Sequence, residues 1–293
     1  MASAHRRAPL VSRSMSQLSV VLLGTGSPLP DPHRAGPASL VRAAGRHLLV
    51  DCGRGVLMRL AGAGLGAGQL DALVLTHLHS DHVTDLTDVI TTRWVTSFAP
   101  SPLTIVGPPG TATLVERVLA SLADDVGYRL SHHADLTWEP PVEVHEVADG
   151  EAWSADGVSV TVAPTDHRPV APTIGVRVDV GDASVVLAGD TVPCPGLDRL
   201  VAGATVYVQT VVRPSLIEPI PMERFRDVLD YHSSLADAGA TATRGGVRTL
   251  VLTHCVPAPA PGTEPEWIAE AAAEFSGEIL LAADLDEVVA AAS

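Results

Sequence analysis

The stretch LVLTHLHSDHVTDL, residues 73–86, sets three histidines and an aspartate within six positions of an apolar run. A buried strand that merely turns over has no use for His77, His79, Asp81 and His82 there. Alternate residues of an extended segment project to one side, so His77 and His79 point together. Asp81 and His82 follow where the chain enters a helix, and neighbours there diverge. The spacing suits two ligands for one cation and two for an adjacent one. A closed zinc site takes about four donors, so a pair of ions needs more than this loop supplies. Three further donors stand where other apolar runs end: His167 in APTDHRPVAPT, Asp190 in VVLAGDT and His254 in LVLTH. A carboxylate placed between two cations can bridge them. The other histidines read differently. His5, His33 and His47 lie in polar or turn contexts, His132 and His133 in a loop, and His145 on the solvated face of a strand.

Around this loop, the chain alternates apolar runs with helical patterns. LSVVLLGTGSP (18–28) reads as a buried strand ended by a Gly-rich turn, and 39–53 as two strands about Gly45. Residues 55–64 have helical spacing, and a helix over 84–95 continues behind the histidine cluster. A strand at 103–107 and a helix from Thr111 follow, then strands at 142–147 and 158–163. Residues 174–190 form a hairpin around Gly181-Asp182, with apolar alternation on both arms. A strand at 204–212, helices at 233–245 and 265–275 flanking a strand that ends at His254, and one closing strand within 278–289 complete the reading. Meandering strands interrupted by helices favour mixed sheets covered by helices over a purely parallel sheet. The class is α/β (α+β). Residues 1–17 read as a disordered tail without an apolar signal core, and 18–293 as one domain.

Composition narrows the function. Hydrophobic residues make up 46% of the 293 and charged residues 18%, as in a globular chain. Aromatics are only 3%, so the core must be aliphatic. Lys and Asn are absent, and the formal charge of −15 opposes a broad electrostatic grip on nucleic acid. Local arginines, Arg34, Arg54, Arg93, Arg168 and Arg213 among them, are candidates to hold one or two phosphates. Three widely spaced cysteines read as reduced thiols, which implies a cytoplasmic protein. No apolar run approaches the roughly 20 residues of a membrane span.

The HxHxDH loop with spaced downstream His, Asp and His resembles the metallo-β-lactamase superfamily and, within it, the ribonuclease Z group. The resemblance runs from Leu18 onward through GTGSPLPDPHRAGPASLV, LLVDCGRG, THLHSDH, DHRPVAPTIGVRV, AGDT, YHSSLADA and VLTHCVP. It implies an αββα sandwich of two mixed β-sheets flanked by helices, with two Zn2+ at one edge (Mn2+ or Fe2+ suit the same donors). Matched residue by residue, His77, His79 and His167 hold one ion, Asp81, His82 and His254 the other, and Asp190 bridges them. Asp81 is then also the proton acceptor for the attacking water. His232 matches a histidine assigned to protonating the leaving oxygen, against a plain reading as a helix-start residue without chemistry. The implied function is hydrolysis of phosphodiester bonds, in RNA 3′ ends or small phosphodiesters, by a cytoplasmic homodimer. Arylsulfatase or lactonase activity on the same centre is the alternative, followed by a non-hydrolytic relative.

The sequence also departs from that group. Between His167 and Asp190 one tight hairpin leaves no room for the long arm that tRNA-processing members carry. A His-Glu-Ala-Thr segment appears as Gln209-Thr210-Val211-Val212, without its glutamate. An early Arg-Asn pair reads Arg34-Ala35. The donor set is complete, while the apparatus that grips RNA is reduced.

Overall fold

The computed structural model describes residues 18–291, so the expected tail at 1–17 lies outside the described residues. The chain opens with β1 (Leu18–Gly24), β2 (Ala38–Ala43) and β3 (Arg46–Val50). Helix α1 (Val56–Gly62) precedes β4 (Ala72–Val74), after which α2 (Ser80–Val83) and α3 (Leu86–Thr96) lead to β5 (Leu103–Gly107). Next come α4 (Thr111–Ser121), α5 (Ala123–His132) and β6 (Val142–Glu146). The meander β7 (Gly150–Ala155), β8 (Val158–Pro164), β9 (Ile174–Val180), β10 (Ala183–Leu187) begins the second half. It continues through α6 (Pro195–Val201), β11 (Val206–Val212), α7 (Pro214–Ile217), α8 (Glu223–Arg226) and α9 (Leu235–Gly245). The last elements are β12 (Thr249–Val256), α10 (Glu264–Ala272), β13 (Glu278–Leu281) and β14 (Glu287–Val289).

These strands form two seven-stranded mixed sheets, ordered β14-β1-β2-β3-β4-β5-β6 and β13-β12-β11-β10-β9-β8-β7. Each has four antiparallel strands on one side and three added in parallel on the other. The halves therefore repeat one pairing scheme. Leu18, Val20 and Leu22 of β1 pack with Val160, Val176 and Val185 in the layer between the sheets. Val21 and Leu23, on the opposite face, pack with Val56 and Leu60 of α1 and Val89 and Ile90 of α3. On the second sheet Leu197 and Leu200 of α6, Leu235 of α9 and Trp267 of α10 cover Val186 and Tyr207. The order of layers is helix, sheet, sheet, helix. Both faces of β1 and β11 are buried, which explains their unbroken apolar runs.

Several local readings are corrected. The expected closing strand is two, β13 at the edge of the second sheet and β14 at the edge of the first. Ala283 to Asp286 form the turn between them, with Ala283 N–H on the Asp286 carboxylate (2.8 Å) and Asp286 N–H on the Ala283 carbonyl (3.1 Å). The helix expected over 84–95 is α3 and begins at Leu86, after a turn at Thr84-Asp85 where the Asp85 carboxylate accepts from the Gly55 (2.6 Å) and Val56 (3.1 Å) amides. His132 is the last residue of α5 and not a loop residue. His145 is exposed on β6 as expected. The span from Asp166 to Asp190 holds β9, β10 and their turns, and no arm.

Candidate metal centre

The HxHxDH loop leaves the end of β4, where Leu75 N–H still pairs with the Val106 carbonyl on β5 (2.8 Å). His79 then precedes α2, which carries Asp81 and His82 in its first turn. His167 follows β8, Asp190 follows β10, and His254 lies on β12 with left-handed backbone, φ 47°. Strand ends from both sheets thus converge on one edge of the sandwich. Gly189 makes this approach possible. Its φ is 65°, and a Cβ there would lie 2.8 Å from the Thr76 side chain.

All seven expected donors meet there, and His232 joins them. His79 Nδ1 lies 3.1 Å from His77 Nε2 and 3.2 Å from His167 Nε2. Both of those Nε2 atoms stand 3.9 Å from Asp190 Oδ2. On the other side, Asp81 Oδ2 is 3.3 Å from His254 Nε2 and 3.7 Å from His82 Nε2. Those nitrogens are 3.6 and 3.4 Å from the same Asp190 Oδ2. Ligands about 2.0–2.2 Å from a tetrahedral zinc stand roughly 3.3–3.6 Å from one another. The distances within the two groups, 3.1 to 3.9 Å, bracket that spacing, and the groups share one oxygen. Among the described residues, the buried atoms His82 Nε2 and Asp190 Oδ1 have no hydrogen-bond partner. Buried polar atoms seldom go unpaired, and these belong to residues grouped to take a cation.

A second layer of contacts fixes the rings. His82 Nδ1 donates to Asp51 Oδ2 (2.8 Å), which aims Nε2 inward at the centre. Asp51 also accepts from Thr76 N–H (2.8 Å) and the Thr76 hydroxyl (2.9 Å). That hydroxyl in turn lies 3.0 Å from His77 Nδ1. His167 Nδ1 donates to the Tyr231 carbonyl (2.8 Å) and His232 Nδ1 to the Val228 carbonyl (3.0 Å). Such partners fix the orientation of each ring and aim its inner nitrogen at the centre. Asp51 lies outside the HxHxDH motif, although it ends a buried apolar run as Asp190 does. It is buried with φ 59°, a conformation that favours Gly, Asn and Asp.

Electrostatics follow from crowding. Burial and the neighbouring His82 push His77 well below the usual imidazole range, and burial takes His167 down to about 4. Burial acts against protonation of His82 too, but the Asp190 and Asp51 carboxylates outweigh it and raise its pKa well above 6.5. Burial likewise disfavours charge on Asp190, yet His254 and His82 hold its carboxyl far below the ordinary value. The centre therefore keeps a carboxylate at its middle and a proton on His82.

Sequence comparison bears on this geometry. Residues 46–255 match the family described as beta-lactamase superfamily domain. The ribonuclease Z of Mycobacterium bovis (strain BCG / Pasteur 1173P2) is 59% identical over 273 residues, 92% of this chain and 98% of that protein. That of Mycolicibacterium gilvum is 60% identical over 92% of this chain and 96% of that one. The chain belongs to the beta-lactamase superfamily, in its ribonuclease Z family. As a family member it is a metal-dependent hydrolase of ribonuclease Z type. Its fold is that of the metallo-beta-lactamase fold protein YhfI from Bacillus subtilis, with TM-score 0.74 and 23% identity over 94% of this chain and 99% of that one. Human tRNase Z, short form, superposes with TM-score 0.69 at 23% identity, over 93% and 99% of the two chains.

The ribonuclease Z departures now have physical counterparts. Where the group's glutamate would stand, the Thr210 hydroxyl donates to the Gly189 carbonyl (2.9 Å). Gln209 is buried in a closed network with Tyr207 and Thr210. His232 is held by a main-chain carbonyl at Nδ1 and by the Asp190 carboxylate at Nε2. Most of the expected phosphate-binding arginines are engaged within the protein. Arg34 donates to Thr25 (2.6 Å) and the Ala282 carbonyl (3.0 Å), and Arg93 is buried on the carbonyls of Ala67 and Leu70. Arg213 pairs with Glu266 and Glu270, and Arg168 with Asp166. Arg54 is exposed.

Proposed function

We propose that the chain is a zinc-dependent endoribonuclease that cleaves phosphodiester bonds at the 3′ end of precursor tRNA. The two relatives above carry the name ribonuclease Z, and the human fold neighbour the name tRNase Z. One observation carries the dinuclear reading: two groups of three donors share Asp190 Oδ2. His77, His79 and His167 would hold one zinc and Asp81, His82 and His254 the other. When bound, the ion pair supplies Lewis acidity for a phosphoryl oxygen and a hydroxide at neutral pH. Asp81 orients the attacking water and takes its proton. Burial opposes ionisation of Asp81, but its hydrogen bond to His254 and the nearby His82 lower its pKa, so the acceptor form is present at neutral pH. His232 delivers a proton to the leaving oxygen from Nε2, which lies 3.2 Å from Asp190 Oδ2. Burial works against a charged His232; the bond and charge of Asp190 outweigh it and keep the proton near neutral pH.

We also read the protein as a cytoplasmic homodimer. Exposed Phe98 and Tyr128, on neighbouring segments, support a covered apolar surface between copies. Among the described residues no helix is long and apolar enough to cross a membrane. Elemental analysis after dialysis against metal-free buffer tests the centre, with close to two zinc ions per chain expected. One ion would remove the bridging role of Asp190, and none would overturn the reading.

A further inference from the structure

A cleft of about 400 Å³ opens beside His79 and His167. That is near the lower end of the roughly 300–1,000 Å³ of small-molecule sites, so it suits one nucleotide and not a run of them. Tyr231 lines it. The Tyr231 carbonyl holds His167 Nδ1 at 2.8 Å, and its ring stands edge-on to the His167 ring, 5.1 Å between centroids at 84°. The aromatic face is therefore pinned against the candidate centre. Arg224 of α8 lines the same cleft, is exposed, and has no side-chain hydrogen bond or ion pair among the described residues. Arg168 differs, because Asp166 already holds its guanidinium through two contacts of 2.8 and 2.6 Å. Asp227 and Asp230 add acceptors that suit the amino groups of a base.

A flat ring, a free guanidinium and carboxylate acceptors around a space of this size match one class of ligand. We propose that this cleft is the subsite for a single unpaired nucleotide flanking the scissile bond, its base laid on the Tyr231 ring and a phosphate on Arg224. The proposal rests on the ribonuclease reading above. Stacking on an aromatic ring tolerates any base, so Tyr231 contributes affinity and fixes the strand beside the centre. Arg224 then supplies a phosphate contact to a chain of net charge −15.

The test uses the full-length, metal-loaded protein and a precursor RNA with an unpaired 3′ flank. Tyr231→Ala should raise KM roughly 5- to 150-fold, the worth of one base stack, while Tyr231→Phe stays within about twofold of the parent. A series of RNAs, each lacking one base near the cleavage point, locates the contact. The Tyr231→Ala penalty should vanish for one abasic position and persist at the others. Arg224→Ala, an exposed change, should raise KM and reduce the salt slope by about one charge. A penalty equal on every abasic RNA, or Phe as damaging as Ala, overturns the subsite. So does loss of metal from Tyr231→Ala with a fall in kcat alone, because Tyr231 then acts only through His167. If the unmodified protein cleaves small phosphodiesters but no RNA, the ribonuclease reading itself fails and the subsite with it.

Discussion

Asp51→Asn exchanges one oxygen for an amide group and isolates the charge of a residue that need never touch a metal. The backbone at φ 59° suits Asn as well as Asp, so the fold loses little there. The conflict arises at the side chain. The carboxylate accepts from Thr76 N–H, the Thr76 hydroxyl and His82 Nδ1 at once. An amide offers one acceptor oxygen, and either orientation aims its NH2 at a donor. If it faces His82, the ring must carry its proton on Nε2, the nitrogen aimed at the centre. Loss of such a partner typically costs 10- to 100-fold in metal affinity, about 1.4–2.8 kcal/mol at 1.4 kcal/mol per decade. Asp51→Ala adds a buried, unpaired Thr76 N–H, about 1–3 kcal/mol, and a left-handed backbone at Ala, about 1–2 kcal/mol. Competition with a chelator measures zinc affinity, and thermal unfolding of the metal-free proteins measures stability. Both variants should weaken zinc and lower the stability of the metal-free protein, in which Asp51 favours the protonated His82 ring, and Ala should destabilise it more than Asn. Zinc binding by Asp51→Asn within threefold of the parent would refute tautomer control by Asp51.

Three further outcomes are expected. Gly189→Ala should destabilise by about 2–4 kcal/mol, from left-handed backbone plus a 2.8 Å approach to Thr76, read by chemical denaturation; an unchanged midpoint would contradict the close approach. His82 has a raised pKa in the metal-free protein, so its proton stabilises that form fully below the unfolded value near 6.5, a benefit lost as pH rises through the folded value. A cation must displace that proton, so zinc affinity should rise with pH in this window, with release of about one proton per chain on loading at pH 7, measured by calorimetry in buffers of different ionisation enthalpy; zero release would show that His82 is not displaced. His232→Ala should keep its metal and slow substrates with poor leaving groups roughly 10²–10⁴-fold, while a nitrophenolate ester suffers much less; equal loss on both, or loss of metal, would make His232 a ligand or a binding group.

The sandwich was legible because its strands carry two kinds of period. Unbroken apolar β1 and β11 announce burial on both faces, and the alternation of β9 announces one wet face. The donors were legible because strand ends are where polar groups interrupt such runs. What escaped notice lacks a period. Helix α5 buries no residue, and α7 and α8 have four residues each, too few to show a stripe. The strand β7 is half-exposed, with Glu151 and Ser154 outward. Asp51 escaped because its role depends on a partner 31 positions away, His82. The arginines misled for the same reason. Charge is visible in a sequence, but its internal neutralisation, as of Arg213 by Glu266 and Glu270, is a tertiary fact.

The edge strand β14 gives this protein a timetable. The Ser19 hydroxyl on β1 donates to the Glu287 carboxylate on β14, 268 residues later. At 5–20 residues per second, a ribosome needs roughly 13–54 s to cover that distance. Throughout that interval β1, apolar on both faces, waits with one edge unpaired, the state in which strands recruit foreign strands. His254 too emerges late, so a growing chain has neither a closed first sheet nor a full donor set. The donor set is thereby incomplete until His254 has been made, and the first sheet is complete only once β14 has been laid on β1.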